Sequence, residues 1–189
     1  LGTQQTFFKN EPKLVHQIKL CWELPEAMHT FDEQKGPQPF MVSKILTVSV
    51  SKKSNTRPLI EGILGRDLTP AEEKDGYDFS NLLLEKKGCC MINVKHAKDQ
   101  KDASITYANI ASITPPMEGS KYPKPINPII DYSIGSEKQW EEFEKIYPAL
   151  QEKIKKSPEW ESEAAKAGYT GKAVASPEGE DEEPEEDAF

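Results

Sequence analysis

The sequence predicts a mainly β domain with short inserted helices, and three observations carry that prediction. Period-two or strand-length apolar stretches lie near residues 15–24, 40–51, 89–97 and 104–114. Helix-start grammar is inserted between the second and third of them, and a sustained helical period begins only after residue 136.

Composition suits a modest core with a large solvated periphery, at 36% hydrophobic and 30% charged in 189 residues. No apolar run approaches the ~18 residues of a membrane span, and no charged, apolar, small-residue signal segment opens the chain. Cys21, Cys89 and Cys90 are poor material for a disulfide framework, so a reducing cytoplasm is expected. The chain begins Leu-Gly-Thr-Gln without Met, which is read as a fragment or processed form lacking its first strand.

From Leu14 to Leu24 the even positions Leu14, His16, Ile18, Leu20, Trp22 and Leu24 face one way and Val15, Gln17, Lys19, Cys21 and Glu23 the other. Pro25 is expected to end this strand, and residues 26–39 are read as a loop. Phe40 to Ser51 reads as the next strand, with Val42, Leu46, Val48 and Val50 on one face and Lys44 interrupting it near the rim. Asn55 or Thr56 can cap a short helix with Pro58 in its first turn, Leu59, Ile60, Ile63 and Leu64 as its buried stripe, and Gly65 closing it. Thr69-Pro70-Ala71-Glu72 predicts a capping box.

Cys90, Ile92 and Val94 oppose Asn93 and Lys95, and Ile105, Tyr107, Ala111 and Ile113 are assigned one face of a partner strand, so the two form a hairpin. A proline-rich strap spans 115–128, and Ile129 to Ile134 is read as one more short strand. Beyond Glu137, Trp140, Phe143, Tyr147, Leu150 and Ile154 recur at helical steps, Pro148 must kink or restart the helix, and Ser157-Pro158 begins another that Gly168 ends. The organisation is thus a β domain over 1–134, a helical arm over 135–168, and a linker with an acidic tail over 169–189.

Catalysis has little support. His16, His29 and His96 are scattered, no metal-ligand spacing occurs, and Gly62 to Arg66 lacks the spacing of a phosphate loop. The body's densest acids, Asp67, Glu72, Glu73, Asp75 and Asp78, surround helix starts, where they favour the helix dipole, so a metal-dependent nuclease is the weaker rival. No catalytic residue, metal or cofactor is assigned.

Binding of single-stranded nucleic acid is better supported, because it needs cations for phosphates and aromatics on which bases stack. Lys44, Lys52, Lys53, Arg57 and Arg66 bracket the second strand and the helix after it, with no acid from 34 to 60, and Lys95, Lys98 and Lys101 mark the hairpin tip. With Lys19 and Tyr107 added, Lys19, Lys44, Lys52, Lys53, Arg57, Arg66, Lys95, Lys98 and Tyr107 form the candidate contact set. Trp22, Phe40, Tyr77 and Tyr107 are the possible stacking platforms, with core packing the simpler reading for Trp22 and Tyr107.

The net charge of −8 resides entirely in the last thirteen residues, Pro177 to Phe189, which hold eight acids and no base. Such a segment cannot bury enough apolar surface to order itself. Its terminal Phe189 beside a free carboxylate suits a small apolar pocket ringed by Lys or Arg on a partner.

The start L-G-T-Q, the strand I-K-L-C-W-E-L-P, the S-K-K-S segment leading to G-R-D-L-T-P-A-E-E, and Y-A-N-I-A-S-I-T-P-P together resemble a family of tailed-phage single-stranded DNA-binding proteins, over roughly residues 1–134. The resemblance implies an OB fold, a role in phage replication and recombination, and the host-cell cytoplasm. The tail is similar to those of bacterial and phage proteins of this type. It implies that Asp181, Glu182, Glu183, Glu185, Glu186, Asp187 and Phe189 recruit replication or recombination partners and compete with DNA for the basic groove. Monomer and homodimer are both open. The rival reading is a protein-interaction or DNA-mimic module that binds no DNA.

Overall fold

The computed structural model describes residues 1–84, 90–102, 104–119 and 121–169. The acidic tail with its seven candidate residues, and Cys89, lie outside the described residues.

Three antiparallel strands form a meander: β1 (Gly2–Phe8), β2 (Glu11–Asp32) and β3 (Gly36–Thr47). The turn between β1 and β2 has only two residues, Lys9 and Asn10, both at positive φ (51° and 64°), which matches the twist of the strands it joins. Three short helices follow, α1 (Thr56–Leu64), α2 (Pro70–Asp75) and α3 (Ser80–Leu84). A second antiparallel pair, β4 (Met91–Lys98) and β5 (Thr106–Thr114), then precedes the strap and the helical arm, α4 (Gln139–Phe143), α5 (Pro148–Lys155) and α6 (Pro158–Ala167).

Several expectations are corrected. Gly2–Phe8 forms a strand, β1, that the reading did not assign. Pro25 does not end β2. A bulge between Leu24 and Met28 takes up the imide, which has no N–H to give to the ladder, and pairing resumes to a tight turn at Asp32–Gly36. Residues 26–39 are therefore hairpin, not loop. Ile129–Ile134 forms no strand. The described strands do not close one barrel; they make a three-stranded and a two-stranded sheet.

The helix grammar holds. Thr69 and Glu72 make the reciprocal capping box, Gly65 takes the left-handed C-cap of α1, Pro148 opens α5, Ser157 accepts the Trp160 amide to cap α6, and Gly168 closes it. At the start of α1 neither Asn55 nor Thr56 caps through its side chain; Ser54 Oγ accepts the Thr56 amide at 3.1 Å, and Thr56 Oγ1 donates to the Thr47 carbonyl at 2.6 Å.

The central core joins Ile63 of α1, Leu82 of α3 and Ile113 of β5, with Leu20, Trp22, Ile92 and Ile110 packed on it. Beside it Val50, Ile60 and Leu68 make a smaller cluster. The arm has its own core of Phe143, Ile146 and Ile154, which Leu1, Tyr132 and Trp160 cover. It docks on the first sheet through β1: the buried Gln4 amide donates to the Lys153 carbonyl at 3.2 Å, and Glu159 accepts from the Thr3 amide at 3.0 Å. The strap is pinned to β2 by Glu23, whose carboxylate accepts the amides of Ile126 and Asn127 at 2.5 and 2.9 Å.

Candidate nucleic-acid interface

The candidate contact residues separate into groups that sequence order did not foreshadow. Arg57 and Arg66 belong to a charge knot between α1 and α2. Arg57 Nε lies 2.8 Å from Glu61, its Nη2 bonds Glu73, and only 14% of its side chain is exposed. Glu73, and Glu61 after it, hold this guanidinium even more firmly charged than usual. Arg66 makes a two-pronged pair with Glu72 at 2.8 and 2.9 Å. Arg66, and next the Thr69 amide, keep the Glu72 carboxyl down at about 2. The acids just beyond the acid-free window thus fold back and neutralise both arginines locally.

Lys19 is also engaged. Its ammonium donates to the Tyr147 hydroxyl at 2.8 Å and sits 5.5 Å from that ring's centroid, so it serves the arm. Lys44 pairs across the ladder with Leu20 and is half-buried on β3, an edge strand of its sheet. Lys52 and Lys53 stand exposed on the turn after β3. Among the described residues Lys44, Lys52, Lys53, Lys95 and Lys98 have no carboxylate partner.

The β4–β5 hairpin brings an aromatic and a cation together. Ile92 pairs with Ile113, but Val94 pairs with Ile110, so β5 carries an extra residue at Ala111. Because cross-strand partners share a face, the bulge keeps Ile110 and Ile113 together on the core side and turns Tyr107 to the other. This corrects the sequence reading, which put Tyr107 with Ile113. The open face carries Asn93, Lys95 and Ala97 from β4 with Tyr107, Asn109 and Ser112 from β5, all exposed except the half-buried Tyr107. Lys95 opposes Asn109 and Ala97 opposes Tyr107, which makes Lys95 and Tyr107 diagonal neighbours. Lys98 alternates to the opposite face at the exposed end.

Asp99 organises the loop beyond. Its carboxylate accepts the amides of Lys101 and Asp102 at 2.6 and 2.7 Å. Those of Asp102 first and then Lys101, followed by the Tyr107 hydroxyl, keep its pKa below the ordinary aspartate value. The Tyr107 ring is therefore oriented from its hydroxyl end.

Of the other aromatics, Trp22 packs on the central core as expected, and Tyr77 and Phe79 meet edge to face at 5.9 Å against the same core. Phe40 instead contacts Phe31 at 5.1 Å and His29 at 5.6 Å in an exposed cluster near the β2–β3 turn. Asn93, Asn109, His29 and Phe31 were missed as candidates. The signal for the last two was present, since Asp32 to Gly36 between two phenylalanines is a hairpin turn: Asp32 Oδ1 accepts the Gln34 amide at 2.9 Å, and Gly36 takes φ 69°.

Among the described residues no cluster of His, Cys, Asp or Glu is arranged to hold a metal ion, and no helix is long and apolar enough to cross a membrane. No family model, curated protein or solved structure matches this chain.

Proposed function

We propose that this chain binds single-stranded DNA, in phage replication or recombination as its resemblance implies, along the open face of the β4–β5 hairpin. The observation that carries the reading is the Ala111 bulge, which sets Tyr107 beside Lys95 on a polar face with amide donors and acceptors at Asn93 and Asn109. A half-exposed ring offers a stacking surface to any base, and an unpaired lysine beside it meets the phosphate. Lys98, Lys52, Lys53 and Lys44 extend the positive potential; Arg57 and Arg66 act through the helices they hold.

The finer fold reading is an opened OB barrel. A three-stranded meander, a helical segment and a two-stranded hairpin follow one another, β5 approaches β3, and α1 packs on β5. This order supports the reading, and the acidic tail fits it as the recruiter of replication or recombination proteins.

The test is fluorescence anisotropy of labelled oligo-dT at several salt concentrations, with the full chain and a form ending at Ser176. Affinity is expected to fall steeply with salt and to rise on removal of the tail. Lys95→Ala should flatten the log–log salt slope by about 0.7, the share of one phosphate contact on a single strand. Tyr107→Ala should cost about 1–3 kcal/mol while Tyr107→Phe binds nearly as the parent does, because the ring and not the hydroxyl stacks. Absence of binding by either form at low salt rejects the reading.

A further inference from the structure

Beyond the Leu24–Met28 bulge, residues 26 to 31 of β2 are all exposed, and the hairpin ends in an apolar cluster. Phe31 is 61% exposed, Phe40 41%, Met28 44% and Met41 53%. His29, Phe31 and Phe40 contact one another with ring centroids 4.8 to 5.6 Å apart. Grouped exposed aromatics are part of the composition of a protein interface core, while Met28 and Met41, paired with Pro39 and Glu23, alternate to the other face of the hairpin.

The charges around this tip disfavour a polyanion. Glu26, Asp32 and Glu33 lie within a few positions of the cluster in sequence, and Lys35 lies 3.8 Å from Asp32. A complementary surface stands at the other end of β3, where Val48 is 40% exposed and the turn that follows carries Lys52 and Lys53 within the acid-free window. Phe40 and Val48 stand eight residues apart along the chain, roughly 26 Å at ~3.3 Å per residue. A paired strand cannot fold back on itself, so one chain's tip cannot reach its own turn.

We infer that the tip is a self-association surface, whose aromatic cluster docks on the Val48–Lys53 turn of a second copy. Each copy then offers one tip and one turn, so two copies either exchange both contacts about a two-fold axis or continue head to tail. The inference stands on tip and turn alone and does not need the hairpin face to bind DNA.

Sedimentation velocity of the full chain tests it. At low salt the sedimentation coefficient should rise with concentration, and added salt should lower it as the rim charges are screened. The double variant Phe31→Ser, Phe40→Ser and the double variant Lys52→Glu, Lys53→Glu should each remain monomeric with unchanged circular dichroism, since all four side chains are exposed. An equimolar mixture of the two should form dimers, because one supplies an intact turn and the other an intact tip. A parent chain that stays monomeric at every concentration, or a mixture that does, overturns the inference. So does a tip variant that sediments like the parent but loses affinity for an oligonucleotide too short for two copies, because the cluster would then be stacking on bases.

Discussion

Glu159 joins three parts of the molecule through one carboxylate. It accepts from both the amide and the hydroxyl of Thr3, lies 3.7 Å from His16, and sits in the first turn of α6. The Thr3 N–H on the outer edge of β1 is thereby satisfied by a side chain and not by a foreign strand. Burial opposes the charge, but the Thr3 hydroxyl and amide, the residue's own amide and His16 outweigh it and bring the pKa from 4.5 to about 2. A depressed folded-state pKa stabilises the fold above the unfolded value, and that contribution is lost as pH falls through the folded one. The melting temperature of the parent should therefore exceed that of Glu159→Gln above pH 4.5, with the gap closing toward pH 2. At 39% side-chain exposure solvent screens the carboxylate, so the gap is modest.

Gly62 shows why α1 lies where it does. A glycine inside a helix costs stability, and here the absent side chain is what lets the helix approach β5: a Cβ at this position would stand 2.6 Å from the Ile113 carbonyl oxygen. Backbone cannot step aside as a flexible side chain would. Gly62→Ala should cost about 1–3 kcal/mol, as overpacked sites do, seen as a lower urea midpoint at unchanged slope. The strand opposite obeys a similar close-contact logic. One extra residue at Ala111 reverses the side of Tyr107 while leaving Ile110 and Ile113 in the core.

Several contacts of different kinds cross between the arm and the first sheet. Leu1 packs into the arm's core, Gln4 and Thr3 bond α5 and α6, and Lys19 reaches Tyr147. Phe143 is 1% exposed at the centre of the arm, against Tyr132, Trp160 and Tyr169. Phe143→Ala should destabilise by about 3–5 kcal/mol. Near- and far-ultraviolet circular dichroism should still report a single coincident transition on heating. An earlier, separate near-ultraviolet loss would mean that the arm unfolds independently.

Local chemistry was legible in the residues themselves. The capping box at Thr69, the proline starts of α5 and α6, the glycine stops at Gly65 and Gly168, and the β4–β5 hairpin each depend on neighbours a few positions away. The confinement of net negative charge to the tail is equally a property of the chain alone. Only the folded arrangement decided the rest. It carried β2 past Pro25 because a bulge could take up the missing donor, and it spent Arg57 and Arg66 on carboxylates near them in space. It also turned Tyr107 toward Lys95, because strand periodicity has no way to register an inserted residue until the opposing strand fixes which partners meet.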